Sequence, residues 1–248
     1  MLRLIKKMKE KFDAEPAVIY DDANKLLFVG DVHGDLDTIE YVKKAVENYD
    51  RVIFLGDFVD RGEKQVEVVE EIARLKIESE KIVLLAGNHD AYIDVWPRDF
   101  PQKLKENFNN WSKIEHAYVL AFQSAPIAYL NKRHKLLAVH GCIPIEEKYW
   151  DLNLWKKVKD NRIAYQILWN DPEITFAGWR GPETWMVPNE KLVNFLEQND
   201  LKALIRSHQP RINEVFNLDD KKLVNIGSSY VYGIKAVLEM PGFKLKFI

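Results

Sequence analysis

The segment Val-Ile-Phe-Leu-Gly-Asp-Phe-Val-Asp-Arg-Gly, from Val52 to Gly62, joins a short apolar run to a polar loop. The run Val52–Leu55 predicts a buried β-strand, because it is short, continuous and ended by Gly56. Asp57 is therefore expected where this strand opens into a loop. A carboxylate has two oxygens and can bridge two cations, which an imidazole nitrogen cannot do. We interpret Asp57 as the residue around which the chain is organised.

Four other polar motifs are each expected at the end of a strand: Gly30–Gly34, Gly87–Asp90, Val139–Gly141 and Arg206–Pro210. They supply the oxygen and nitrogen donors that two divalent transition metals would need around a bridging carboxylate. These donors are Asp31, His33, Asn88, His140 and His208. Metals about 3.5–4 Å apart would share a water, turn it into hydroxide near neutral pH and direct it at phosphorus. The sequence therefore predicts a dinuclear metal phosphoesterase.

A second group of polar residues could complete the chemistry. His89 directly follows Asn88, so it is expected beside the metals rather than on them. Asp60 could hold the other ring nitrogen of His89, so that His89 acts as a general acid. Arg61 and Arg180 have the forked donors that suit phosphate oxygens, and Asn88 is expected to reach the phosphate as well. Each residue alone is typical of a structural role, and only the combination favours a metal centre.

The first third of the chain alternates predicted strands with predicted helices. Apolar runs predict strands at Lys25–Val29, Arg51–Leu55 and Lys81–Ala86, and helical spacing predicts helices at Asp37–Tyr49 and Gln65–Ile77. This order indicates right-handed βαβ units with parallel strands. Ligand-bearing loops in such sheets lie beyond the carboxyl ends of the strands, which is where the predicted metal ligands fall.

The rest of the chain is less regular, and the fold class predicted for the whole is α/β. Residues Ala91–Phe122 are expected to be mostly helical, Ala125–Leu130 and Lys135–Val139 to form a hairpin, and Leu192–Leu196 to be helical before a strand at Ala203–Arg206. Four short C-terminal runs are interpreted as strands of one antiparallel sheet: Val215–Phe216, Lys222–Ile226, Ile234–Met240 and Phe243–Ile248.

Composition narrows the class of protein. A chain of 248 residues with 47% hydrophobic residues can bury one large core, so we expect a single domain over 1–248. Residues 1–24 are expected to be a helical extension packed on it, with membrane-surface or partner docking as the alternative. The net charge of −2 argues against nucleic acid as a partner. A single Cys142 and the absence of a long apolar run favour a cytoplasmic protein without a membrane span.

At these motifs the chain closely resembles the calcineurin-like metallophosphoesterases, and within them the PPP family of serine/threonine protein phosphatases, prokaryotic type. The family motifs Gly-Asp-x-His-Gly, Gly-Asp-x-Val-Asp-Arg-Gly and Gly-Asn-His-Glu match Gly30–Gly34, Gly56–Gly62 and Gly87–Asp90. Its later single histidines match His140 and His208. Its Leu-Trp-Ser-Asp-Pro stretch and Arg-Gly pair are similar to Leu168–Pro172 and to Arg180–Gly181.

The resemblance implies a β-sandwich of mixed sheets flanked by helices, two divalent metals (most often Mn²⁺ in prokaryotic members, with Fe/Zn pairs as the alternative) and phosphorylated proteins as substrates. Asp31 and His33 would hold the first metal, Asp57 would bridge, and a second set would hold the other. That second set is Asn88, His140 and His208. The same resemblance assigns His89 and Asp60 to the acid pair and Arg61 and Arg180 to the phosphate.

Departures from the family pattern leave rival functions open. Asp90 stands where the protein phosphatases have Glu, and Asp is what symmetrical diadenosine tetraphosphate hydrolases carry. Those hydrolases have Ala in place of Asp60, and Trp169–Pro172 also favours the phosphatases. The segment Asn225–Tyr230 lacks the loop of the eukaryotic enzymes, so their inhibitor and regulatory-subunit contacts do not carry over. A non-catalytic scaffold is the third possibility, although no ligand is missing, and the oligomeric state is left open.

Overall fold

A computed structural model describes residues 1–160, 163–176 and 178–248. The α-helices are α1 (Leu2–Ala14), α2 (Leu36–Ala45), α3 (Gln65–Glu78), α4 (Asn88–Ala91), α5 (Phe100–Asn107), α6 (Trp111–Phe122), α7 (Ile163–Trp169) and α8 (Asn189–Gln198). The strands are β1 (Val18–Asp21), β2 (Leu26–Val29), β3 (Arg51–Phe54), β4 (Ile82–Leu84), β5 (Ala128–Asn131), β6 (Leu136–Val139), β7 (Asp171–Pro172), β8 (Met186–Val187), β9 (Ala203–Arg206), β10 (Glu214–Leu218), β11 (Lys221–Asn225), β12 (Ala236–Met240) and β13 (Lys244–Phe247). Short 3-10 turns lie at Val46–Asn48, Glu147–Tyr149, Leu152–Leu154, Val158–Asp160, Glu173–Thr175 and Tyr230–Tyr232.

The strands form two large mixed sheets. One has the order β1-β5-β6-β9-β11-β10 and the other the order β13-β12-β2-β3-β4, while β7 and β8 pair separately. Strands β2, β3 and β4 are parallel neighbours joined through α2 and α3. The predicted βαβ units are therefore confirmed, and so is the predicted hairpin, because β5 and β6 pair antiparallel.

The two sheets pack face to face as a sandwich with helices on its outer faces. In β2, Leu26 and Phe28 lie in the apolar layer between the sheets, whereas Leu27 and Val29 belong to the layer shared with the helices. Phe28 meets Tyr129 of the other sheet with ring centroids 6.2 Å apart. Both faces of the central strands are thus buried, which is why they are continuous apolar runs rather than alternating ones. The predicted sandwich flanked by helices is confirmed.

The N-terminal segment differs in part from the predicted helical extension over 1–24. Helix α1 packs on the body with Ile5, Met8 and Phe12 fully buried, but it ends at Ala14. Pro16 disfavours helical backbone at the residue before it. Residues Val18–Asp21 instead form β1, an edge strand parallel to β5. The prediction of a helix beyond α1 is wrong, because the short β-branched run after Pro16 is long enough to extend a sheet.

The C-terminal strands form two hairpins rather than one antiparallel sheet. The hairpin β10–β11 joins the six-stranded sheet, where β11 runs parallel to β9. The hairpin β12–β13 joins the other sheet, where β12 runs antiparallel to β2. The prediction of a single sheet is therefore wrong. Alternation shows which side chains of a strand are buried, but it does not say which distant strand is the neighbour.

The lengths of the helices decide whether any of them could span a membrane. The longest helix of the described ranges, α3, has 14 residues and carries charged side chains along its exposed face, whereas a spanning helix needs about 20 apolar residues. None of the helices in the part of the chain that the structure describes could cross a bilayer.

We predict that Phe12→Ala lowers the free energy of unfolding by about 3–5 kcal/mol, because the ring is fully buried and meets Phe122 at 5.4 Å between centroids. Urea unfolding of the purified protein measures the change. Lys7→Ala on the exposed face of the same helix is the control and should stay within about 0.5 kcal/mol. Equal stability of the Phe12 variant and the unmodified protein would contradict the packing of α1.

Candidate metal centre

The predicted metal ligands come together at one edge of the sandwich, where strands of both sheets end. Asp31 follows β2, Asp57 follows β3 and Asn88 follows β4 in the five-stranded sheet. His140 follows β6 and His208 follows β9 in the six-stranded sheet. These five side chains and His33 are all nearly inaccessible to solvent. The site is therefore made jointly by the two sheets.

Asp57 lies between two groups of possible ligands. The ligand atoms of Asp31, His33 and Asp57 lie within 4.8 Å of one another, and so do those of Asp57, His140 and His208. The Oδ2 atom of Asp57 is 3.6 Å from Nε2 of His33, while its Oδ1 atom is 3.5 Å from Nε2 of His140. The two oxygens of one carboxylate thus face different histidines, which is the arrangement that a bridging ligand requires.

Asn88 belongs to the second group. Its side-chain oxygen Oδ1 lies 2.9 Å from Nε2 of His140, and the same nitrogen lies 3.1 Å from Nδ1 of His208. One amide oxygen and two imidazole nitrogens therefore converge on one point. The structure brings all six predicted ligands together in the two groups that the sequence suggests.

Backbone carbonyls orient two of the imidazoles. Nδ1 of His33 donates to the carbonyl of Val59 at 2.6 Å, and Nδ1 of His140 donates to the carbonyl of Leu55 at 2.8 Å. A carbonyl can only accept, so each ring carries its proton on Nδ1 and presents a lone pair on Nε2. Both lone pairs point into the centre. Such a second contact is typical of histidines that bind metals.

The electrostatics of the cluster favour cations. Burial lowers the pKa of His33 and His208 well below the usual histidine value and lowers that of His140, so the rings are neutral. Burial and the nearby Asp31 and Asp90 raise the pKa of Asp57 well above its usual value. The buried Asp57 carboxylate therefore needs nearby positive charge to stay ionised. This donor set fits divalent transition metals, which bind carboxylate oxygen and imidazole nitrogen.

Several site residues have backbone that non-glycine residues rarely adopt. Positive φ angles of 41°, 56°, 66°, 70° and 70° occur at His33, Asp57, Asp60, Arg61 and His208, respectively. Each costs of order 1–3 kcal/mol and persists only where surrounding contacts enforce it. The concentration of such residues around one cluster is itself typical of a functional site.

Asp90 enforces the conformation at Asp57. Its carboxylate accepts the backbone N–H of Asp57 at 2.7 Å and that of Phe58 at 3.0 Å. The Tyr118 hydroxyl donates to the same carboxylate at 2.6 Å. Gly87 lies against this turn so closely that a Cβ there would be 2.2 Å from the Asp57 nitrogen. The departure of Asp90 from the family pattern is thus accommodated by a tyrosine on α6.

The predicted acid pair is in contact. Nδ1 of His89 lies 2.7 Å from Oδ2 of Asp60, and the other oxygen of Asp60 accepts the N–H groups of Asp99 and Phe100 at 2.9 Å each. Nε2 of His89 lies 3.2 Å from Nη2 of Arg61. The N–H groups at the start of α5 therefore orient the Asp60 carboxylate, which in turn orients the His89 ring. The Nε2 edge of that ring faces Arg61.

Arg180 reaches the centre through a carboxylate that the sequence analysis left without a role. Its Nε donates to Asp171, and its Nη2 lies 3.4 Å from the carbonyl of His208. The fully buried Arg206 donates to the other oxygen of Asp171 at 2.8 Å and to the carbonyl of Gly141 at 2.7 Å. The Trp169–Pro172 motif thus supplies the counter-charge for both guanidinium groups.

Three further hydrogen bonds to Asp31 were missed by sequence reasoning. The Ser207 hydroxyl and the His208 N–H, the latter at 3.1 Å, both donate to Oδ1 of Asp31. The Tyr232 hydroxyl donates to Oδ2 at 3.0 Å. Ser207 could have been noticed as the neighbour of a predicted ligand, but Tyr232 lies in a segment without any recognisable motif.

Comparison with known proteins identifies a family and related folds. The chain matches the calcineurin-like phosphoesterase family over residues 24–211. Its fold is similar to that of a protein serine/threonine phosphatase from Saccharomyces cerevisiae with similarity to human phosphatase PP5, at 22% identity and a TM-score of 0.74, covering 96% of this chain and 81% of that one. A cold-active protein-tyrosine phosphatase of a psychrophilic Shewanella species matches at 18% identity and a TM-score of 0.59, covering 95% of this chain and 80% of that one. A putative diadenosine tetraphosphatase matches at 16% identity and a TM-score of 0.51, covering 94% of this chain and 98% of that one.

We predict that Asp57→Asn removes bound metal, because a neutral amide cannot place negative charge between two cations. Elemental analysis after loading with Mn²⁺ and desalting measures the metal per chain. Asp220→Asn, which changes an exposed carboxylate in the turn between β10 and β11, is the control and should keep the metal content of the unmodified protein. Retention of two equivalents by the Asp57 variant would exclude the bridging role.

Proposed function

The chain belongs to the calcineurin-like phosphoesterases, and from this premise we propose that it is a metal-dependent phosphomonoesterase acting on phosphoserine and phosphothreonine in proteins. One observation carries the proposal. The Asp57 carboxylate faces His33 with one oxygen and His140 with the other, beside a histidine that is paired with a carboxylate. Paired cations, a phosphate and a proton donor can therefore be placed within one cluster.

The metals would be two divalent cations, and we propose Mn²⁺, with an Fe/Zn pair as the alternative. When bound, such a pair activates a water and neutralises charge on the phosphoryl group. Asp31 and His33 would hold the first ion, and Asp57 would contact both. Asn88, His140 and His208 would hold the second.

Two arginines are assigned to the phosphate. Arg61 turns its guanidinium into the cluster, where its two terminal nitrogens lie 2.8 Å from His33 and 3.2 Å from His89. Arg180 is fixed by Asp171 and lies beside His208. Guanidinium groups can donate two parallel hydrogen bonds to non-bridging oxygens, so the pair would orient the phosphate in the cluster.

His89 is assigned to the departing alkoxide of serine or threonine. This leaving group is a strong base and needs a proton as the bond to phosphorus breaks. Asp60 holds Nδ1 of the ring, and Nε2 accepts from Nη2 of Arg61 in this structure. Nε2 would carry the transferable proton once the Arg61 guanidinium donates to the phosphate instead.

A dinucleoside polyphosphate hydrolase, such as a symmetrical diadenosine tetraphosphate hydrolase, is the second candidate. Asp90 favours it, since that branch carries Asp at this position. Asp60 favours a phosphatase, because its carboxylate completes the acid pair at 2.7 Å from His89. A nucleotide leaving group is a weaker base than an alkoxide and depends less on such an acid.

We predict that His89→Asn keeps its metal but loses about 10²–10⁴-fold in turnover on a phosphoserine peptide, the range that general-acid catalysis contributes. The loss should be much smaller with p-nitrophenyl phosphate, whose leaving group needs no proton. Steady-state kinetics on both substrates measure the difference. His116→Asn, an exposed histidine on α6, is the matched control, and unchanged turnover of the phosphoserine peptide by the His89 variant would exclude the acid role.

The substrate class is tested by direct comparison. We expect the Mn²⁺-loaded protein to have a higher kcat/KM on phosphoserine and phosphothreonine peptides than on diadenosine tetraphosphate. Reactions with Mg²⁺, with Zn²⁺ and with a chelator identify the activating metal. A large preference for the dinucleotide would replace the proposed function by the second candidate.

A further inference from the structure

Tyr232 joins the metal-ligand cluster to the phosphate-binding arginine. It ends the short helical turn Tyr230–Tyr232 after β11, and only 7% of it is exposed. Its hydroxyl donates to Oδ2 of Asp31 at 3.0 Å and accepts from Nη1 of Arg61 at 2.5 Å. Its ring packs edge to face on His33 with centroids 5.6 Å apart. The Tyr232 hydroxyl therefore contacts both a candidate metal ligand, Asp31, and a candidate phosphate-binding residue, Arg61.

The Asp31 contact orients the phenol. Oδ1 of Asp31 already accepts from the Ser207 hydroxyl and the His208 N–H, so Oδ2 is the oxygen that the phenol can reach. With its single proton donated to Asp31, the Tyr232 oxygen can only accept from Arg61. The direction of both hydrogen bonds is thus determined by chemistry.

Arg61 depends on an acceptor at this place. A long arginine side chain loses rotamer entropy when it is held in one conformation. Nη1 of Arg61 contacts two acceptors, Nε2 of His33 at 2.8 Å and the oxygen of Tyr232. A metal that uses the His33 lone pair removes the first acceptor. Of these two contacts, the phenol is then the one that can still hold the guanidinium.

We propose that Tyr232 is a positioning residue that fixes the Arg61 guanidinium for phosphate, an assignment that rests on the proposed function of Arg61. Holding the donors in place before the phosphate arrives lowers the entropy cost of binding it. The phenol acts through the arginine and has no chemical step of its own. Loss of the Tyr232 hydroxyl should therefore lower the affinity for phosphate and leave the affinity for metal unchanged.

Other contacts keep the loop of Tyr232 in place. The Tyr230 hydroxyl accepts the N–H of Glu63 at 2.8 Å, and Lys235 pairs with Asp35 at 3.1 Å. These contacts lie on either side of Tyr232 in the chain. Removal of the Tyr232 hydroxyl alone therefore leaves the loop in place. Tyr232→Phe removes the hydroxyl's contacts with Arg61 and Asp31, and the metal content reports on the second of them.

The experiment is calorimetric titration of the Mn²⁺-loaded protein with inorganic phosphate. Tyr232→Phe should weaken phosphate binding about tenfold, the effect of one hydrogen bond to a charged group, with the metal content unchanged. Tyr230→Phe removes a hydroxyl from the same loop and should bind phosphate as the unmodified protein does. In an Arg61→Ala background, Tyr232→Phe should have no further effect, because two residues acting through one contact are not additive.

A second variant tests the same contact without removing a polar group. A Cβ at Gly227 would lie 3.1 Å from Cδ2 of Tyr232, so Gly227→Ala displaces the ring slightly. It should also weaken phosphate binding, and it decides the question if Tyr232→Phe does not fold. Unchanged phosphate affinity in the folded variants, loss of metal from Tyr232→Phe, or the same tenfold loss without Arg61 would each overturn the proposal. Because the titration needs no turnover, a failure to hydrolyse phosphopeptides contradicts the proposed function separately.

Discussion

The two oxygens of Asp57 must face histidines that are delivered by different sheets. His33 follows β2 in the five-stranded sheet, whereas His140 follows β6 in the six-stranded one. The separations of 3.6 and 3.5 Å hold only if the sheets pack at one distance and one stagger. The apolar layer between the sheets, which includes Phe28 against Tyr129, sets that distance. The packing of the core between the sheets therefore also determines the geometry of the candidate metal centre.

A second constraint acts within the loops. Turning Asp57 toward the cluster requires backbone with a φ of 56°, which is unfavourable for a residue with a side chain. Asp90 offsets this by accepting two N–H groups of the turn, and Tyr118 satisfies the same carboxylate. The conformation of the Asp57 turn is thus maintained by a second, buried carboxylate that belongs to neither group of possible metal ligands.

The apolar runs predict the βαβ units and the composition of the cluster well, because each ligand follows an apolar run that ends in Gly or a polar residue, whereas the sandwich was implied by the family resemblance. Such signals are local. Strand β1 and the division of the C-terminal hairpins between two sheets were not predicted, since pairing depends on distant partners. Asp171, Ser207 and Tyr232 were missed for the same reason. Their roles come from hydrogen bonds to Arg180, Asp31 and other residues that are remote in sequence.

The hydrogen bonds from the start of α5 to the Asp60 carboxylate limit how this protein can be redesigned. The Asp99 and Phe100 N–H groups hold the carboxylate that holds His89, so the helix start cannot be exchanged without disturbing the acid pair. Between Tyr92 and Arg98 the side chains of Ile93 and Trp96 are 65% and 88% exposed, whereas Val95 is buried in the core. Substitutions confined to Ile93 and Trp96 would therefore change the surface that precedes α5 while the hydrogen bonds of Asp60 stay intact. This surface and the buried acid pair can to that extent be altered independently.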